Sequence, residues 1–236
     1  MYKYALQLFR VYWQFILATS VILFAFDIWA ATSAIKGLVP KFFVYGFLIF
    51  NFHFTTLKGI RVSAFGSIPP GGKPTFNFWF AYGLPVAAIV VVFFVSFNAL
   101  NEPYGTSAAG YSTLIMLVAF GLFLALFGTM IPAATVGTSV GLRAALRRSR
   151  QSFWFVLWRL ILGPGLYGVC LFSLVIVLQN KGIIPPEPQA FAQVTPINAL
   201  WSVTITILGL FNSALTATIL SMAYLHVEEQ GRRPQL

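Results

Sequence analysis

Residues 79–100 read WFAYGLPVAAIVVVFFVSFNAL. The run follows Phe78 and contains no charged side chain. A helix rises about 1.5 Å per residue, so a bilayer core of about 30 Å is crossed by about 20 apolar residues. This stretch has that length. It is continuously apolar and lacks the period-two alternation of a β-barrel strand. It predicts a transmembrane helix.

Five further runs share its character, at about 11–31, 38–57, 112–135, 153–178 and 198–225. Pro132 is placed to bend or end the fourth of these six segments. Gly163, Pro164 and Gly165 interrupt the fifth, as a proline inside a helix does. The composition agrees. Of 236 residues, 58% are hydrophobic and 8% charged, and the mean hydropathy is +0.83. Soluble domains are about 45–50% apolar and about 25% charged. The expected fold is all-α, a polytopic bundle of six helices forming a single integral membrane domain over residues 1–236. The first run resembles a signal peptide at first sight, because Lys3 and Arg10 precede it and Ala30, Ala31 and Ala34 follow it. But Val11–Ala30 exceeds a signal core of about 7–15 residues. It also opens on Tyr12, Trp13 and Gln14, in the manner of an interfacial belt. It is expected to be the first membrane helix.

The chain carries 15 Lys and Arg against 5 Asp and Glu, a formal net charge of +10. In a soluble domain this would suggest nucleic acid. Here the cations fall in the breaks between apolar runs, so nucleic acid is not an expected partner. With the N-terminus in the cytoplasm, twelve of the 15 basic residues lie inside. They are Lys3, Arg10, Lys58, Arg61, Lys73, Arg143, Arg147, Arg148, Arg150, Arg159, Arg232 and Arg233. Only Lys36, Lys41 and Lys181 fall outside. The positive-inside rule then puts both termini in the cytoplasm.

Three loops stand out. The loop 58–77 holds Ile68-Pro69-Pro70-Gly71-Gly72-Lys73-Pro74. Gly66 and Gly71 have the glycine spacing of a phosphate-binding loop, but Gly72 replaces its lysine and Pro74 follows Lys73. A stiff Pro-Gly turn is expected there. The outer loop 179–197, with Pro185, Pro186, Pro188 and Pro196, is expected to be extended and irregular. The third is the basic segment 139–152. Arg143, Arg147 and Arg150 are spaced i, i+4, i+7 and share one helical face. Leu142, Leu146 and Phe153 follow a similar spacing on a neighbouring face. A short amphipathic helix on the inner membrane surface is expected. Arg143, Arg147, Arg148 and Arg150 are its candidate contacts with anionic lipid or an acidic partner, at up to about 1 kcal/mol each. The alternative is topological anchoring alone.

A family resemblance is carried by Gly141-Leu142-Arg143-Ala144-Ala145-Leu146-Arg147-Arg148-Ser149, by Phe153-Trp154 and by Arg159-Leu160. Ala214-Leu215-Thr216-Ala217-Thr218, Tyr224 and Glu228-Glu229-Gln230-Gly231 extend it. Together they resemble bacterial six-helix membrane proteins related to the membrane domain of glycerophosphoryl diester phosphodiesterases. The resemblance covers part of the chain. It implies the six-helix fold and a bacterial inner-membrane setting. The catalytic domain of that family has no counterpart here, so no enzymatic activity is implied.

The polar residues inside apolar runs are the remaining candidates. Asp27 is the one acid within such a run, and intramembrane carboxylates are functional by default. It lies near the outer end of its helix, where Lys36 or Lys41 is within reach. Asn51 and His53 sit near the inner end of the second run, and His53 is either bonded to a neighbouring helix or a proton carrier. Arg159 either snorkels to the inner interface or pairs with Glu228 or Glu229. Gly163-Pro164-Gly165 is either a packing kink or a helix break of the kind transporters use. Thr204, Thr206, Asn212, Ser213, Thr216, Thr218 and Ser221 make the sixth run unusually polar, which favours helix contact in lipid. Cys170 is expected to be a small buried hydrophobe.

No nucleophile–base pair, catalytic carboxylate pair or metal motif is recognisable in the sequence, and no cofactor is expected. The expected function is that of a non-enzymatic integral inner-membrane protein, an accessory or scaffold subunit contacting membrane lipids, other membrane proteins or itself. The alternative is a small carrier or channel for a hydrophobic or anionic solute.

Overall fold

A computed structural model of the chain describes residues 1–30, 34–59, 72–138, 141–184 and 194–232. Arg61, most of the Pro-Gly loop (Ile68, Pro69, Pro70, Gly71), Ser139, Val140, Pro185, Pro186, Pro188 and Arg233 lie outside the described residues, as do the side chains of Lys36 and Arg232. The described residues are mostly helical, without strands. In chain order they form α1 (Tyr2–Ala30), α2 (Ala34–Lys58), α3 (Phe76–Tyr104), α4 (Ala108–Phe127), α5 (Met130–Thr135), α6 (Leu142–Leu160), α7 (Leu166–Asn180) and α8 (Pro196–Arg232).

Local chemistry sets several boundaries. Thr75 caps α3, its Oγ1 accepting the Phe78 N–H at 3.4 Å. Thr195 and Asn198 cap α8 reciprocally. The Thr195 N–H donates to Asn198 Oδ1 at 2.8 Å, and the Asn198 N–H donates to Thr195 Oγ1 at 3.3 Å. Pro196 sits at the first helical position, where no N–H is needed. Gly105, at φ 50°, turns α3 into the 3-10 turn Gly105–Ser107 and on to α4.

α8 is the axis of the bundle. One apolar cluster joins it to α1 and α2 through Leu8, Ile16, Leu48, Phe52 and Leu215. A second joins it to α2, α3, α4, α5 and α6 through Phe50, Phe78, Leu124, Ile131, Val156 and Leu220. α1 and α2 run antiparallel, tied by Tyr12 to Thr55 at one end and Asp27 to Lys41 at the other.

Among the described residues, five helical segments are long and apolar enough to cross a membrane: Tyr2–Trp29, Phe76–Tyr104, Ala108–Phe127, Leu142–Asn180 and Pro196–Glu229. The second expected span corresponds to α2, which is not among them. α2 carries Lys41, Asn51 and His53, and it buries Asn51 and His53 against its neighbours. A helix enclosed by protein has less need of a fully apolar surface.

Two boundaries differ from expectation. The run 112–135 is not one helix. α4 ends at Phe127, and Gly128 donates its N–H to Leu124 O at 2.8 Å. A β-carbon at Gly128 would overlap the Leu124 backbone carbonyl oxygen, so the tight turn needs glycine. The buried α5, with Pro132, follows. The basic segment, in turn, is not a separate surface helix. It is the first half of one continuous helical segment, Leu142–Asn180, and it packs on α4 and α8.

Gly163-Pro164-Gly165 does not break that segment. The chain passes through a π-helical turn, Ile161–Gly165, and continues. Pro164 has no N–H to give Leu160 O, so the ladder widens, and the Leu166 N–H reaches Ile161 O. A β-carbon at Gly165 would lie 3.0 Å from Leu160 O. The Tyr2 hydroxyl donates to Leu162 O at 3.1 Å, supplying the turn with an outside donor.

Candidate functional site

The interior polar groups gather where α2 finishes, α3 begins and α4 finishes. His53 on α2 is fully buried. Its Nδ1 lies 2.7 Å from Ser221 Oγ on α8. Its Nε2 has no hydrogen-bond partner among the described residues, and neither has Asn212 Oδ1 on α8. Both residues line a cavity of about 190 Å³.

Each wall has a sequence reason. α2 contributes Ile49 and His53, one turn apart. On α3, Pro85 deprives the Ala81 carbonyl of its ordinary helical donor. α8 contributes Gly209, Ser213, Thr216 and Ala217, small residues at helical spacing. A β-carbon at Gly209 would meet nothing within 4 Å. α4 and α5 close the space with apolar groups. Asn51 Oδ1 and Ser112 Oγ are also buried without partners, but neither residue lines the cavity.

The arginines divide. Arg143, Arg147 and Arg150 are exposed along α6 and border an open groove with Gly141, Ala144 and Leu146. Arg148 does not join them as a lipid contact. It is 4% exposed and turned into the bundle. Its guanidinium lies 5.6 Å from the centroid of the Tyr224 ring, and its Nε donates to Thr129 Oγ1 at 3.4 Å. Tyr224 in turn bonds Thr138 Oγ1 at 2.9 Å. At 100° per residue, Arg148 is about 140° from Arg143, on the side of Ala145, Ser149 and Ser152. Those three are buried as well.

Asp27 pairs with Lys41 at the opposite end of the bundle from His53. Arg159 makes no ion pair with Glu228 or Glu229 among the described residues. It is exposed, its guanidinium 3.5 Å from the centroid of the Phe155 ring. That ring stacks on His226. Gly163 packs beside Met1 and Ile219, and Gly168 lies beside the Asn212 side chain. Cys170 is exposed on α7, not buried.

Sequence reasoning found His53 and Asn212 but not what joins them. Ser221 is one of the seven polar residues named on its run. Gly209 and Tyr82 carried no signal until three helices met around them. The α8 pattern 209, 213, 216, 217 is the one clue that could have been found, since small residues recurring on one face mark a close approach or a space. Among the described residues, no group of three or more His, Cys, Asp or Glu is placed to hold a metal ion. Uncharged donors and acceptors in an apolar wall can bind and orient a neutral group. Compared with protein-family profiles, curated protein sequences and solved structures, the chain matches none.

Proposed function

We propose that this chain is a non-enzymatic integral membrane protein of a bacterial inner membrane, acting as an accessory or scaffold subunit with both termini in the cytoplasm. The observation that carries the reading is the division of Leu142–Asn180 into two unlike halves. The first half is held in the bundle by Arg148, Val156 and Leu160. The second half, α7, buries no residue at all. Val169, Cys170 and Phe172 are exposed on it. It touches α8 along Tyr167 and Gly168 and leaves the rest of its circumference open to lipid or to another membrane helix. Arg143, Arg147 and Arg150 add a basic face suited to anionic headgroups.

A photoreactive amino acid at Phe172, irradiated in native membranes, tests this. A discrete protein adduct, identified by mass spectrometry, is expected. Adducts with lipid alone, at Phe172 and likewise at Val169, would remove the scaffold role. The second reading, a small carrier, draws on the cavity beside His53. Its lining holds no Lys, Arg, Asp or Glu, which favours a neutral apolar solute over an anionic one.

A further inference from the structure

The cavity has a chemistry of its own, whichever role the chain plays. Leaving buried polar atoms unpaired is unfavourable by about 1–3 kcal/mol each. His53 Nε2 and Asn212 Oδ1 are two such atoms, and their residues, on two different helices, line one space. The Ser221 hydroxyl engages Nδ1, so Nε2 is the edge of the imidazole left without a partner among the described residues. When Ser221 donates to Nδ1, Nε2 carries the proton and becomes a donor. Asn212 Oδ1 is an acceptor in any state. A group that both donates and accepts satisfies either atom, and a hydroxyl is the smallest that does.

The rest of the wall is apolar or uncharged. Pro85, Val86, Phe120 and Leu124 supply the body of the site. An ion would lose its hydration there without a counter-charge. The volume of about 190 Å³ suits a body of about one ring, since a dry protein cavity of about 150 Å³ accepts benzene. Gly209 lines the space, and a β-carbon there would meet nothing within 4 Å.

We infer that the cavity between α2, α3, α4, α5 and α8 is a binding site for a small neutral alcohol or phenol. The hydroxyl is held by His53 Nε2, and the single-ring body by Pro85, Phe120 and Leu124.

The test uses the full chain in lipid nanodiscs with two probes, para-fluorobenzyl alcohol and its isostere para-fluorotoluene, followed by fluorine NMR against empty nanodiscs. Saturable binding of the alcohol, about tenfold or more tighter than of the isostere, is expected. His53→Phe should erase that preference. Gly209→Leu should abolish binding of both probes, since Gly209 lines the space and a β-carbon there has room, with a melting curve to check that the variant still folds. This second variant decides the matter if His53→Phe does not fold. Alcohol signals equal to those of empty nanodiscs would overturn the proposal. So would equal affinity for the two probes, or a preference that persists in Gly209→Leu.

Discussion

A guanidinium turned into a helical bundle needs its hydrogen-bond and ring partners far more than a carboxylate at the rim does. Arg148 is 4% exposed and sits against Tyr224 and Thr129. Removing a partner of a buried charge is worse than removing the charge with it. Tyr224→Leu is therefore expected to lower stability by about 2–3 kcal/mol, and Arg148→Met by about 1 kcal/mol, in detergent unfolding. The reverse order would mean that Tyr224 is not what makes Arg148 tolerable. Asp27 contrasts with it. Its side chain is 54% exposed and that of its partner Lys41 28%. Asp27→Asn should change stability by less than about 1 kcal/mol. The sequence made Arg143, Arg147 and Arg150 legible as one face, because their spacing alone decides it. Arg148 was legible only in part. Its angle excluded it from that face, but nothing in the sequence showed that the opposite side was protein.

At the scale of the element, glycines mark where helices close on one another. A β-carbon at Gly46 on α2 would overlap the Trp79 ring and lie 2.9 Å from Tyr82 Cε1 on α3. At Gly83 the nearest atom is Phe42 Cζ, at 3.5 Å, an ordinary contact. Alanine gains about 1 kcal/mol of helix propensity at either place. Gly83→Ala is expected to be neutral or stabilising. Gly46→Ala should lose about 1–3 kcal/mol, since rigid rings must move. Melting curves followed by tryptophan fluorescence compare the two, and equal effects would refute a tight α2–α3 seam. The same scale explains what could be read of Gly163-Pro164-Gly165. Proline guarantees a lost helical hydrogen bond, and that much is visible in the sequence. Whether the helix breaks or widens depends on an outside donor, and Tyr2 is 160 residues away along the chain.

For the whole molecule, length and charge point the same way. Leu142–Asn180 has 39 residues, or about 58 Å as helix, against a hydrocarbon core of about 30 Å. About half of it must therefore overhang. α8 has 37 residues and runs antiparallel to it, since Arg148 meets Tyr224, Gly163 lies beside Ile219 and Tyr167 meets Leu208 and Phe211. The two overhangs then lie at the same end. That end carries Arg143, Arg147 and Arg150, whereas Lys181 follows α7 at the other. Hydropathy made the apolar spans legible because lipid contact is a property of composition. Depth was not legible, because it depends on which long helices pair. The proposed orientation, by the positive-inside rule, puts the arginine end in the cytoplasm. In a Cys170→Ser background, Lys181→Cys should react with an impermeant maleimide on intact cells. Arg150→Cys and Glu229→Cys should react only after permeabilisation. Labelling of Arg150→Cys on intact cells would invert the orientation. Labelling of Arg150→Cys and Glu229→Cys on opposite sides would contradict the antiparallel overhang itself, and with it the placing of Arg148 and Tyr224 at one end of the bundle.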